Sequence, residues 1–260
     1  MTVPPLHFTA PEGPDGAPLL VLGPSLGTST ILWENAVPAL REEFRVTAWD
    51  LPGHGESAPT AAAFTVGELA DAVADGARAL GSDRIRYAGV SLGGATGLEL
   101  ALRHPELVEQ AAIVASGAQL GDPAAWRDRA AQVRAQSTSA LIVSSGQRWF
   151  APGSIEREPV LSGRLFHALQ DADDESYALC CEALAVYDVR ERLGEIGMPV
   201  LALWGEFDQV APEVRSVEIA TGVRDGRAVR IADAAHLPPA EQPEATATAL
   251  LDFFAGEGRR

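Results

Sequence analysis

The stretch that most limits what this chain can become is residues 85–94, an apolar run that ends in Gly89-Val90-Ser91-Leu92-Gly93-Gly94. Residues 85–90 have the composition of a buried strand, and 92–102 that of a helix. A strand that passes into a helix through a single residue needs a very tight turn, and only glycine or a very small residue fits beside the pivot. Gly89 and Gly93 stand two residues before and two after Ser91. Such a turn lifts the Ser91 hydroxyl clear of the backbone at a helix N-terminus, where free N–H groups and the helix dipole favour a developing negative charge. The plain alternative is a glycine-rich turn that happens to hold a serine, and the rest of the chain decides between the two.

Around this turn the sequence alternates. Apolar runs at 18–23, 45–50, 85–90 and 111–116 read as strands, with helical patterns at 31–41, 66–80 and 92–102 between them. Strands so apolar, separated by helices, imply parallel βαβ units covered on both faces. From 121 to 190 the alternation stops. Residues 122–136, opened by Asp122 and Pro123, and 173–186 read as helices, and Leu141-Ile142-Val143 is too short for a sheet strand. Strands return at 199–204 and 228–231, and a helix at 243–254 follows. The expected fold class is α/β, a mostly parallel central sheet flanked by helices. Residues 1–120 and 191–260 form its core, and 121–190 a helical cap.

A hydrophobic content of 47% is ample for one such core. The formal net charge of −16 argues against a nucleic-acid partner, since phosphate binding needs a basic footprint. It would also repel an anionic ligand unless the site supplied a local cation. Cys180 and Cys181 are adjacent and close no useful loop, so buried, reduced thiols on a helix are expected. No Cys or His spacing suits a metal. Met1-Thr2-Val3-Pro4-Pro5 carries neither a basic region nor an apolar run, and no stretch approaches 18 apolar residues. A cytoplasmic protein with no membrane contact is the expectation.

A serine hydroxyl is a weak nucleophile until a base takes its proton, and the base needs a carboxylate to orient it. Five histidines are available: His7, His54, His104, His167 and His236. His236 lies in a loop after the last strand, where its ring could lean over the sheet edge. Asp208 follows the 199–204 strand, beyond the strand end where open α/β sheets place their chemistry. Asp233, three residues before His236, is a rival better suited to bracing its own loop, and Glu206 is a weaker one.

These residues resemble the α/β-hydrolase superfamily, and more closely its 3-oxoadipate enol-lactonases. The likeness is carried by Ser25-Leu26-Gly27-Thr28 with Trp33, by Asp50-Leu51-Pro52-Gly53-His54-Gly55-Glu56-Ser57 and by the Ser91 turn. It continues through Arg148-Trp149-Phe150-Ala151-Pro152-Gly153, Cys180-Cys181-Glu182-Ala183-Leu184, Tyr187-Asp188-Val189-Arg190 and Ala234-Ala235-His236. The resemblance implies an α/β-hydrolase fold with a helical cap, a Ser91–Asp208–His236 triad and no cofactor. It implies an oxyanion hole from the N–H groups of Leu92 and Leu26, and a small lactone or ester substrate, first among them 3-oxoadipate enol-lactone. Other activities share this triad: general carboxylesterase, carbon–carbon bond hydrolase and cofactor-free haloperoxidase. A dehalogenase is disfavoured because Ser91 stands where those enzymes need an aspartate. A non-catalytic ligand receptor is the reading from another class. Two departures from the family pattern stand out. Leu51-Pro52-Gly53, where an arginine before Gly-His-Gly is common, reads as a structural change. Thr138-Ser139-Ala140, in place of a glycine-containing turn, bears on the detailed shape of the cap.

An anionic substrate needs a cation, and arginine's planar fork suits a carboxylate. The cap offers Arg127, Arg129, Arg134, Arg148, Arg157 and Arg164. Arg134 is the expected choice, because eight residues place it about 80° around the same helix from Trp126. Trp126, Trp149 and Ser25 complete the expected substrate contacts.

Overall fold

The computed structural model describes residues 5–255. Six strands, β1 (Leu19–Gly23), β2 (Arg45–Ala48), β3 (Ile85–Val90), β4 (Val108–Val114), β5 (Val200–Gly205) and β6 (Gly226–Ile231), form one sheet in the order β2-β1-β3-β4-β5-β6. Every adjacent pair is parallel. The inner strands are covered on both faces, which is why they read as continuous apolar runs. At one edge β2 is flanked by antiparallel bridges from Phe8 to Trp49 and from Glu12 to Val46. The other edge, β6, keeps residues 227–230 exposed, so only its end had an apolar signature.

The helices in order are α1 (Val37–Leu40), α2 (Val66–Ala79), α3 (Leu92–Arg103), α4 (Pro123–Gln136), α5 (Ile142–Trp149), α6 (Ser154–Arg157), α7 (Pro159–Asp171), α8 (Asp174–Val186), α9 (Glu213–Gly222), α10 (Pro238–Glu241) and α11 (Pro243–Phe254). The single helix expected over 31–41 is instead a 3-10 turn, Thr30–Trp33, followed by α1, which carries Pro38 in its first turn. Pro38 lacks the N–H that a continuous helix would use, whereas in the first turn of a new helix that N–H is not needed. Leu141-Ile142-Val143 is helical, and α9 lies between β5 and β6, where no helix was expected. Residues 1–4, part of the stretch read for a leader, lie outside the described residues. No helix among the described residues is long and apolar enough to cross a membrane.

Helices α4 to α8 all fall between β4 and β5. This segment leaves and rejoins the core at one point, where the Val189 N–H donates to Ala118 O at 2.8 Å and the Tyr187 hydroxyl to Gly117 O at 3.3 Å. It docks on the core through the Asp173 N–H to Gly53 O, 2.8 Å, and an Arg164–Glu34 ion pair.

Candidate active site

Ser91 joins β3 to α3 with φ 55° and ψ −114°, a left-handed conformation that a residue with a Cβ adopts only under strain. The turn is held from several sides. The Ser91 N–H donates to Val114 O at 2.9 Å, the Ser116 hydroxyl to Ser91 O at 2.7 Å and the Tyr87 hydroxyl to Gly93 O at 2.7 Å. A Cβ on Gly89 would overlap the Gly93 carbonyl, and one on Gly93 would lie 2.6 Å from Pro24 O. The two glycines are therefore a steric condition of the turn. Among the described residues the Ser91 hydroxyl has no hydrogen-bond partner, so it is free to turn toward a neighbouring base or a ligand.

Asp208 and His236 arrive from the loops after β5 and β6 and are both buried. His236 Nδ1 lies 3.0 Å from Asp208 Oδ2. Asp208 Oδ1 accepts the N–H groups of Val210 and Ala211 at 2.8 and 3.0 Å. Burial pushes the Asp208 carboxyl up, but the adjoining His236 and these N–H donors outweigh it and hold the group below its ordinary range. An ionised Asp208 accepts from Nδ1–H, which leaves His236 Nε2 as the free acceptor. Asp233 is exposed, and its N–H reaches Glu206 Oε2 at 3.3 Å, while Glu206 pairs with Arg230. Among the described residues neither rival carboxylate is hydrogen-bonded to His236.

Leu26 sits in the loop after β1. Its N–H has no acceptor among the described residues, and Leu92, as the first residue of α3, belongs to the turn whose N–H groups lack intrahelical partners. The loop is fixed by the Gly93 N–H to Pro24 O and by the Gly27 N–H to His54 Nε2, 3.0 and 3.2 Å. Because Nε2 accepts, the His54 proton resides on Nδ1, 2.8 Å from Pro52 O. Burial pushes the His54 imidazole down to about 4. His54 also stacks on Tyr177 with ring centroids 5.9 Å apart.

Ser25, Leu26, Ser91 and His236 line one cavity of about 260 Å³ together with Trp126, Arg129, Arg148, Trp149 and Tyr177. The Ser25 hydroxyl has no hydrogen-bond partner among the described residues, whereas its backbone is tied to Thr28. Trp126 is anchored by its indole N–H to Leu120 O, and Trp149 stacks on Phe166.

Arg134 does not join this wall, which corrects the expectation for it. It is paired on the outer side of the insertion with Glu175 at 2.7 Å and Glu182 at 2.5 Å, because α4 packs along α8 with those two acids beside it. The cations on the cavity are Arg129 and Arg148. Arg129 donates from Nε and Nη2 to the Tyr177 hydroxyl, 2.9 and 2.7 Å, and Arg148 donates to Ser144 O at 3.1 Å. Neither has a carboxylate partner among the described residues. Burial, then the like charge of Arg129, depresses the Arg148 pKa. Arg129 lies three residues after Trp126, a spacing that shares a helix face, and Arg148 adjoins Trp149; both signals were present in the sequence.

Among the described residues no group of three or more His, Cys, Asp or Glu could hold a metal ion. Cys180 and Cys181 are free and buried, and burial pushes the Cys181 thiol up to about 12.

The sequence profile of the α/β hydrolase fold family matches residues 18–243. A 3-oxoadipate enol-lactonase of Acinetobacter baylyi is 32% identical over 237 residues, 88% of this chain and 85% of that protein. The crystal structure of an enol-lactonase from Burkholderia xenovorans superposes with a TM-score of 0.91 at 33% identity, covering 96% of each chain. A thermophilic esterase from Thermogutta terrifontis, solved with malate bound, gives 0.89 at 25% identity, over 96% of this chain and 93% of that one. With its parallel sheet, its strained serine between β3 and α3 and its buried Asp–His pair, the chain belongs to the α/β hydrolase fold family and is related within it to the 3-oxoadipate enol-lactonases.

Proposed function

We propose that this protein hydrolyses a small ester or lactone that carries a carboxylate, with 3-oxoadipate enol-lactone as the leading substrate. The observation that carries this reading is the pair Arg129 and Arg148, two cations without acid partners among the described residues, on the cavity that also holds Ser91 and His236. A protein of charge −16 gains nothing by leaving two arginines unpaired and partly desolvated unless an anion is to meet them. The relatives named as enol-lactonases support the choice of substrate.

In the proposed mechanism His236 Nε2 takes the proton from Ser91 Oγ as it attacks the lactone carbonyl, and Asp208 stabilises the imidazolium through Nδ1–H. The oxyanion is met by the N–H groups of Leu26 and Leu92, each contributing about 3 kcal/mol. The ring C–O bond breaks and the enolate leaves, takes the proton from His236 and tautomerises to the ketone. A water then attacks the acyl-enzyme and gives its proton to His236, which passes it to the Ser91 oxygen as the acyl C–O bond breaks and the carboxylate product leaves. Helices α4 to α8 serve as the cap, with residues 1–120 and 191–260 as the core. Trp126, Trp149 and Ser25 contact the substrate.

Steady-state kcat/KM for the enol-lactone against a neutral ester of similar size tests the reading. A clear preference for the lactone is expected. Preference for the neutral ester would make the protein a general carboxylesterase, and no turnover of either that depends on Ser91 would leave a ligand receptor.

A further inference from the structure

Glu241 ends α10, five residues after His236, and its carboxylate is buried with no cationic partner among the described residues. Its four contacts divide between two parts of the chain. Oε1 accepts the N–H groups of Ala235 and Leu237, 2.7 and 3.3 Å, the two residues that flank His236. Oε2 accepts the Ala151 N–H at 2.6 Å and the Ser154 hydroxyl at 2.9 Å, both in the segment that follows α5. The N–H of His236 itself donates to Trp149 O at 3.1 Å. Three successive backbone N–H groups around the base are thus spoken for, two by Glu241 and one by a residue that lines the cavity.

A carboxylate offers about four lone-pair positions, and here four donors meet them. Burying such a group is costly, and an apolar side chain would fill the space without that penalty. What an apolar residue could not do is hold the His236 loop and residues 149–154 at a fixed separation. Trp149 and Arg148 form the cavity wall at the head of that segment, so the same carboxylate governs where the wall stands relative to the base.

We propose that Glu241 is a positioning residue that locks the His236 loop to the α5–α6 segment, and so sets base orientation and the placement of the Arg148–Trp149 wall together. The proposal rests on the reading of His236 as the base. In Glu241→Gln the amide must turn its NH2 toward one pair of donors, so one side of the clamp opens whichever way it lies.

The test is a set of steady-state measurements per folded molecule on Glu241→Gln, with Ser154→Ala as the milder variant and His236→Ala as control. Each is measured on the enol-lactone and on p-nitrophenyl acetate, a neutral ester too small to need the wall. For Glu241→Gln, kcat should fall about 10- to 100-fold on both substrates, the scale expected when a catalytic group is displaced by about 1 Å. KM should rise on the lactone alone. Ser154→Ala loosens only the cap side and should raise KM for the lactone about 3- to 10-fold, less than the full worth of one hydrogen bond to a charged group because this bond reaches the substrate only through the wall.

A Glu241→Gln protein with lowered Tm but unchanged kcat and KM would overturn the proposal and leave a structural acid. If that variant does not fold, Ser154→Ala decides, and an unchanged KM overturns the proposal. Wild-type turnover by His236→Ala would instead remove the base on which the proposal rests. Loss of turnover there, with Glu241→Gln unaffected, would sink only the role of Glu241.

Discussion

Arg129 on α4 and Arg148 on α5 line one cavity, neither ion-paired with a carboxylate among the described residues, and the Tyr177 hydroxyl accepts both of Arg129's bonds. Each guanidinium keeps donors free for a ligand. Replacing either with methionine should raise KM for an anionic lactone about 10- to 100-fold, the value of one charge-assisted hydrogen bond, and spare a neutral ester of similar size. Arg134→Met, which breaks only an exposed pair of ion contacts, should change neither. Equal effects of Arg129→Met and Arg148→Met on both substrates would assign the arginines to packing.

The Asp208–His236 pair sets the expected order of damage in the triad. Ser91→Ala and His236→Ala should each lower kcat by about 10⁴ or more, because the members act as a unit. Asp208→Asn presents an amide to Nδ1 and favours the wrong tautomer, with a loss of about 10⁴. Circular dichroism should show all three folded. A larger loss in Asp233→Asn than in Asp208→Asn would reassign the acid.

The backbone at Ser91 makes a separate prediction about stability. An alanine there keeps the Cβ and the strain, whereas glycine adopts φ 55° freely. Ser91→Gly should therefore be more stable than Ser91→Ala by about 1 kcal/mol, the strain relief of about 1–3 kcal/mol less glycine's cost in the unfolded chain. Thermal melts of the two inactive proteins measure it, and a lower Tm for the glycine variant would show that the turn holds no strain.

His54 gives a pH dependence of definite sign. Its pKa is about 4 in the fold and returns to 6.5 on unfolding, so between these values the unfolded chain binds more protons. The contribution of neutral His54 is complete above about pH 6.5 and is lost as pH falls toward 4, in total about 3 kcal/mol. Urea midpoints at pH 7 and pH 5 should fall less steeply for His54→Gln than for the wild type. Parallel declines would exclude His54 as the source.

The parts of this molecule legible in sequence were those where sterics or periodicity act locally. Gly89 and Gly93 announce the turn because no other residues fit it, and residues 66–80 announce α2 through apolar residues spaced three and four apart. The start of β6 was missed because an edge strand with Arg227 and Arg230 facing water lacks an apolar signature. The choice of Arg134 over Arg129 failed for a different reason. Which face of α4 meets the cavity depends on how α4 lies against α8, and spacing from Trp126 alone admits both residues. Glu241 gave no local sign, since its four donors come from segments about 90 residues apart and from its own turn.

The hydrogen bond from Val189 to Ala118 has an evolutionary corollary. A stretch of some seventy residues that departs and returns through one narrow neck can be lengthened, trimmed or exchanged without shifting the register of any strand. Ser91, Asp208 and His236 hang from the sheet strands, while Trp126, Arg129, Arg148, Trp149 and Tyr177 on the cavity hang from the appended helices. Selection for new substrates and selection for a durable scaffold can therefore act on different stretches of the same gene, coupled only where the two are fastened together.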